Sequence, residues 1–82
     1  MQLQINSGIE RVRILQWLEQ ELGLVAVQEG VYQLDGCTIT LQPLPPGVLL
    51  NIQRTLVVFT GEETACRMYQ KNFRLRFLSA GG

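Results

Sequence analysis

The sequence predicts an α+β domain in which a mainly antiparallel sheet of five or six strands carries two helices on one face. Three observations lead to this prediction. A short apolar run at 56–59, rich in branched and aromatic residues, is typical of a buried strand. A helix-start pattern follows this run at once, and a similar pattern follows the first strand-like segment. Between the two, alternating residues separated by glycine turns indicate an antiparallel meander.

The composition of the 82 residues indicates a single domain, 1–82, of the globular type. Hydrophobic residues make up 46% of the chain and charged residues 17%, which is too apolar for a disordered protein. No apolar run approaches the roughly 20 residues that cross a bilayer. The first six residues, MQLQIN, lack the basic and apolar regions of a signal peptide. We therefore expect a cytoplasmic protein without a membrane partner.

The first helix is predicted to follow a short alternating strand over residues 1–6. Ser7-Gly8-Ile9-Glu10 has the form of a capping box, in which a hydroxyl and a carboxylate satisfy backbone amides at a helix start. The helix is expected to run to about Leu22, with Gly23 as its left-handed cap. At about 100° per residue, its apolar arc is predicted to comprise Val12, Ile14, Leu15, Leu18 and Leu22.

Trp17 falls outside this arc, on the side that it shares with Ile9 and Arg13. Arg13 precedes it by four residues, a spacing that lets a guanidinium stack on the indole. Two interpretations stay open. Either a loop or strand end covers Trp17, or Trp17 anchors a partner protein, since Trp and Arg are enriched at binding hot spots.

The meander is predicted from strand-like segments at 24–27, 31–34 and 37–41, where Asp35-Gly36 is a strong signal for a two-residue hairpin turn. The Pro-rich stretch at 42–47 is not expected to pair as a central strand. We interpret it as a stiff connection, with a polyproline ligand as the alternative. The sheet then resumes at 48–52, either as a separate strand or as one strand continuous with the run at 56–59.

The second helix is predicted to start at a capping box formed by Thr60-Gly61-Glu62-Glu63. Helical spacing favours one long helix that ends near Gly81. The alternative is a shorter helix ended by Asn72 and a C-terminal strand over 73–78, because aromatic and basic residues also alternate there. The apolar face of the long helix comprises Ala65, Cys66, Tyr69, Phe73 and Phe77.

Charge is zero overall but unevenly spread, with a net −4 over residues 1–63 and +4 over residues 64–82. A helix with acids first and bases last accounts for this pattern, because that arrangement suits the helix dipole. An anion-binding end is the alternative, so weak RNA or anion binding through the basic C-terminal segment is a second alternative function. Nucleic acid is nevertheless disfavoured as a partner because the total charge is neutral.

Catalytic chemistry is largely absent from the sequence. There is no histidine, which removes the usual proton shuttle and most zinc and haem sites. No phosphate-binding glycine motif occurs. Cys37 and Cys66 are far apart and are expected to behave as small buried apolar residues. We therefore predict a protein that is not an enzyme, with no catalytic residue, cofactor or metal, and leave open only thiol chemistry at the two cysteines.

The main functional prediction is a small accessory or assembly module that binds another protein, whose identity the sequence does not reveal. A homo-oligomer is left open. The binding surface is expected on the outer face of the first helix and along the basic C-terminal segment, since Arg and Trp are enriched at binding hot spots. The predicted partner-binding residues are Ile9, Arg13, Trp17, Arg67, Arg74 and Arg76.

The final residues, Ser79-Ala80-Gly81-Gly82, suggest a different function. The Gly-Gly end resembles the tails of ubiquitin-like proteins and small sulfur carriers. This resemblance implies that the terminal carboxylate is activated and then carries sulfur or forms an amide, and that Gly81 and Gly82 let the tail enter an activating enzyme. Those proteins begin with a strand hairpin before the helix, whereas here one strand runs directly into a helix. A carrier of this type is the alternative to the main prediction.

Overall fold

The computed structural model describes residues 1–44 and 54–77, which form one five-stranded sheet and two helical elements. Every strand pair is antiparallel, in the order β1-β5-β4-β3-β2, so the predicted fold class is confirmed. The strands are β1 (Gln2–Ser7), β2 (Ala26–Gln28), β3 (Val31–Leu34), β4 (Cys37–Leu44) and β5 (Arg54–Gly61). The helices are α1 (Arg11–Gln16), which continues as a π-helical segment (Trp17–Glu21), and α2 (Glu63–Phe77).

The run at 56–59 lies in β5 and contributes Val57 and Phe59 to the hydrophobic core. Val57 and Phe59 are fully buried and pair with Ile5 and Leu3 of β1. On the other side of β5, Phe59 pairs with the buried Ile39 of β4. Directly opposed residues in antiparallel strands share a face, so these side chains form one apolar layer. Buried residues of both helical elements belong to the same cluster, which places both helices on this face of the sheet.

The hairpin predicted at Asp35-Gly36 is confirmed, because Leu34 and Cys37 on either side of it pair directly. A two-residue turn at Glu29-Gly30 similarly joins β2 to β3. These short turns set the register, and the period of two along each strand then determines which side chains face the helices.

The capping box predicted at Ser7 is wrong, because Ser7 is the last residue of β1 and pairs with Thr55. Its buried hydroxyl accepts the amide of Ile9 at 2.9 Å and so shapes the turn that leads into α1. The helix itself begins at Arg11, where no side chain caps its first turn.

The capping box predicted at Thr60 is also wrong. Thr60 pairs with Thr38 in β4, and β5 continues to Gly61. α2 begins at Glu63. The carbonyl of the residue before it, Glu62, accepts a hydrogen bond of 2.8 Å from the amide of Cys66. At both sites the residue that was expected to cap a helix is instead paired with a neighbouring strand.

The predicted arc of the first helix is only partly correct. Ile14 and Leu18 are fully buried, but Val12 is 52% exposed. Trp17 takes its place, because residues at i, i+3 and i+4 share a face of the helix. The helix widens after Gln16 and ends where predicted, with the amide of Leu22 bonded to the carbonyl of Trp17 at 3.0 Å.

Pro43 corrects the interpretation of the Pro-rich stretch, since it lies in β4 and pairs with Thr55. The last β3 pairing is Val31 with Thr40, so β4 has only β5 beside it at Pro43. Proline is tolerated there because no second strand needs its missing amide. The rest of the Pro-rich stretch and the predicted strand at 48–52 lie outside the described residues.

α2 runs to Phe77, which confirms the long helix as far as this residue and excludes the alternative strand over residues 73–77. Residues 78–82, which include Gly81 and Gly82, lie outside the described residues. None of the described helices is both long enough and apolar enough to span a membrane.

Candidate functional site

Three aromatic rings hold the end of the first helix against the end of α2. The centroid of the Trp17 ring lies 5.8 Å from that of Phe73 and 5.8 Å from that of Phe77. The rings meet at interplanar angles of 69° and 85°, the edge-to-face arrangement that brings a positive ring edge to a negative ring face. Phe73 and Phe77 can both reach Trp17 because residues four apart share a helix face.

Charged groups surround the outermost of these rings. The guanidinium carbons of Arg13 and Arg76 lie 5.8 and 5.0 Å from the centroid of the Phe77 ring. Cation–π contacts at such exposed positions contribute about 0.5–1 kcal/mol each. We name the whole group the helix-end cluster; its members are Arg13, Trp17, Glu21, Phe73, Arg76 and Phe77.

An ion pair within the helix-end cluster joins the two helices directly. Nε and Nη2 of Arg76 donate to Oε2 of Glu21 at 3.0 and 2.9 Å. These hydrogen bonds, and then the charge of Glu21, raise the pKa of the Arg76 guanidinium above its ordinary value. Because the pair is exposed, it contributes little to stability. The same guanidinium lies beside the Phe77 ring, so the pair holds Arg76 within the cluster.

The structure decides between the two interpretations of Trp17. Its side chain is only 4% exposed, so it is covered, and the exposure that a partner anchor needs is absent. The cover is α2, however, and not a loop or strand end. The guanidinium of Arg13, predicted to stack on this indole, lies over the ring of Phe77. Trp17 is therefore a buried residue on which Phe73 and Phe77 of α2 pack.

Ile9 is also held within the structure. It is partly buried and packs against the core. Its amide donates to the hydroxyl of Ser7, and its carbonyl accepts the hydroxyl of Thr55 at 3.1 Å. Both backbone groups are therefore occupied by the protein itself.

The three predicted arginines of α2 lie in two places. Arg74 and Arg76 are exposed in its last turn. Arg67 is exposed near its start, where its Nε donates to Glu63 at 3.3 Å. Arg76 lies nine positions after Arg67, about 13.5 Å further along the helix axis. The predicted residues thus do not form one patch, and their role in partner binding stays a prediction.

Glu21, Phe73 and Phe77 belong to this site but were not predicted from the sequence as members of it. The spacing of the two phenylalanines did indicate a shared helix face. Nothing local indicated that this face would meet Trp17, because that contact depends on how two distant helices lie on the sheet.

The helix-end cluster places charged side chains around a partly buried aromatic ring. Arginine and aromatic side chains are enriched at protein interfaces. Within residues 1–44 and 54–77, no group of three or more metal-binding side chains lies together. Fold and site together define a small α+β domain with an antiparallel five-stranded sheet.

Comparison with known proteins identifies the family to which this domain belongs. A protein-family model described as "Archaeal MoaD-like protein" matches residues 3–82. The chain therefore belongs to the archaeal MoaD-like protein family, whose fold is a ubiquitin-like α+β fold. No curated protein and no solved structure matches it significantly.

The family match includes the part of the sequence that resembles the tails of ubiquitin-like proteins and small sulfur carriers. It extends through Gly81 and Gly82, the residues on which that resemblance rested. β1 does pass into α1 without a preceding hairpin, as the sequence indicated. Membership of the family shows that this order is compatible with a MoaD-like chain.

Proposed function

We propose that this protein is a small carrier of the ubiquitin-like and sulfur-carrier type that acts through the carboxylate of Gly82. The observation that carries the proposal is the family match over residues 3–82, which includes both terminal glycines. It favours the alternative drawn from the sequence over the general protein-binding module. Binding another protein remains part of the function, because a carrier must dock on the enzymes that load and unload it.

The proposed reaction takes place at the carboxylate of Gly82. A carboxylate is a poor electrophile because its charge is delocalised and its oxygen is a poor leaving group. Attack of a Gly82 carboxylate oxygen on the α-phosphorus of ATP forms an acyl-adenylate and releases pyrophosphate. A sulfur or amine nucleophile then displaces AMP, which yields a thiocarboxylate or an amide. Glycines suit this end of the chain because they let the backbone approach an enzyme closely.

The position of the helix-end cluster supports a docking role in this reaction. α2 reaches Phe77, five residues before Gly82. Five residues span at most about 18 Å, so an enzyme that holds the tail also covers the end of α2. The exposed cations there, Arg13, Arg74 and Arg76, are the residues that we assign to docking.

The reaction is tested with the activating enzyme of the same organism and ATP. We expect ATP-dependent exchange of pyrophosphate and an adenylate adduct on Gly82, seen by intact mass and fragmentation. A chain that lacks Gly81 and Gly82 should give neither. Absence of an adduct on the full chain would refute the carrier function. The intact mass of the protein isolated from its cells must also show that Gly82 is the last residue.

The docking surface is tested separately by charge reversal. Arg74→Glu should raise the KM of activation about tenfold, the effect of losing about 1.4 kcal/mol of docking energy. Arg67→Glu is the matched control on the same helix and should stay within about twofold. Equal effects of the two variants would place the docking surface elsewhere, while adenylation of Gly82 would still stand.

The RNA-binding alternative has weaker support. Two of the four basic residues after residue 63, Arg67 and Arg76, are paired with Glu63 and Glu21. Pairing lowers the positive charge offered to phosphates. Retention on a polyanion column that weakens steeply with salt would revive this alternative.

A further inference from the structure

The two cysteines meet at the junction between the sheet and α2. Cys37 is the first residue of β4 and pairs with Gly61, the last residue of β5. The next residue, Glu62, donates its amide to the carbonyl of Gly36 at 2.9 Å. α2 therefore starts directly against the Asp35-Gly36 turn, and its first turn carries Cys66.

Both side chains point into the space between the sheet and the helix. Cys37 is 2% exposed and Cys66 is fully buried, and both are free thiols. The residues before them are in close contact, since a Cβ on Gly36 would stand 3.2 Å from that of Ala65. Burial is the main cause that raises the pKa of Cys37 to about 12, and the neighbouring thiol of Cys66 acts in the same direction.

We propose that Cys37 and Cys66 form an intrachain disulfide under oxidising conditions, which ties the start of α2 to β4. The oxidant is a low-molecular-weight disulfide. One protein thiolate attacks it, forms a mixed disulfide and releases one small thiolate. The second protein thiolate attacks the protein sulfur of that mixed disulfide and releases the other small thiolate. The protein loses two electrons and two protons, which convert the oxidant into two thiols.

Burial controls when this reaction can occur. The attacking species is the thiolate, which the folded protein disfavours at Cys37, and burial keeps an external oxidant away from both side chains. The disulfide therefore forms fastest while the chain folds or while the first turn of α2 is open. Once formed, it cross-links residues 29 apart in sequence and restricts the unfolded chain. It should raise the Tm by roughly 10 °C or more.

The test is refolding of the full chain from denaturant with oxidised and reduced glutathione. The expected product is a monomer lighter than the reduced chain by two hydrogen atoms, with no titratable thiol and no bound glutathione. Its Tm should exceed that of the reduced chain and fall back when a reductant is added. A product that keeps glutathione, keeps its thiols, forms interchain disulfides or melts below the reduced chain overturns the proposal.

Cys37→Ala and Cys66→Ala provide the controls. Each variant keeps only one cysteine and cannot form the intrachain disulfide. Oxidised glutathione should therefore not produce the rise in Tm that we expect for the wild type. If either variant fails to fold, the comparison of oxidised and reduced wild-type chains still decides the question.

Discussion

The hydroxyl of Tyr32 donates a hydrogen bond of 2.5 Å to Oε2 of Glu19, and so connects β3 to the π-helical end of the first helix. Tyr32 is 1% exposed. Burial, and then the hydrogen bond and charge of Glu19, raise the pKa of Tyr32 to about 12. In this protein a neutral tyrosine is therefore part of the folded state well into the alkaline range.

This pair predicts an alkaline loss of stability. In the unfolded chain Tyr32 loses its proton near pH 10, and in the folded chain near pH 12. The stability linked to this group is fully present below pH 10 and is lost as the pH rises towards 12, about 2–3 kcal/mol in all. Urea unfolding of Tyr32→Phe at pH 8 and pH 11.5 should show a smaller alkaline loss than the wild type.

The raised pKa of Cys37 acts in the same direction, so the variant should reduce the loss without removing it. An unchanged loss in Tyr32→Phe would show that other groups account for the whole alkaline effect.

Gly61→Ala should destabilise the protein strongly. Gly61 has a φ of 141°, a backbone angle that residues with a side chain rarely adopt. An added Cβ would also collide with the carbonyl oxygen of Gly36. We expect a loss of about 2 kcal/mol or more in the free energy of unfolding. Gly8→Ala is the matched control, because nothing lies within 4 Å of its added Cβ, and it should change stability by less than about 1 kcal/mol.

Ser7→Ala and Thr60→Ala distinguish the observed structure from two capping boxes. Ser7 is buried and accepts the amide of Ile9, so its substitution should cost about 1 kcal/mol. Thr60 is exposed in β5, so its substitution should stay within about 0.5 kcal/mol. Helix caps at both positions would instead make both losses about 1 kcal/mol. Chemical denaturation of the three chains measures the difference.

The aromatic part of the helix-end cluster should contribute to stability. Phe73 is fully buried between Trp17, Phe59 and Phe77. Phe73→Ala should cost about 3–5 kcal/mol, because it removes these contacts and leaves a cavity. Met68→Ala, on the exposed side of the same helix, should cost less than about 0.5 kcal/mol.

Tryptophan fluorescence provides a second measurement of the same packing. Trp17 should emit at shorter wavelength in the folded wild type than in the denatured chain, as a buried indole does. Wild-type emission at the wavelength of the denatured chain would contradict the burial of Trp17.

Local patterns were sufficient for most of the fold. The alternation around Val57 and Phe59, the Asp35-Gly36 turn and the helical face ending at Phe77 all predicted elements that the structure contains. Each of these signals depends on the period or conformational preference of a few consecutive residues, which the sequence contains directly.

Local patterns failed where a distant segment supplied the partner. Ser7 and Thr60 resembled helix caps, but neighbouring strands take up their backbone groups. Pro43 is accommodated in β4 because β3 ends before reaching it.

Local sequence patterns sufficed to predict the fold class and the order of the described elements, and the Gly81-Gly82 pair suggested the carrier function that we propose. The tertiary structure decided that Trp17 is covered, that Arg13 and Arg76 flank one ring, and that two cysteines meet. These contacts join residues far apart in the chain. They exist only because one antiparallel sheet holds both helices on the same face, and no short-range preference contains that information.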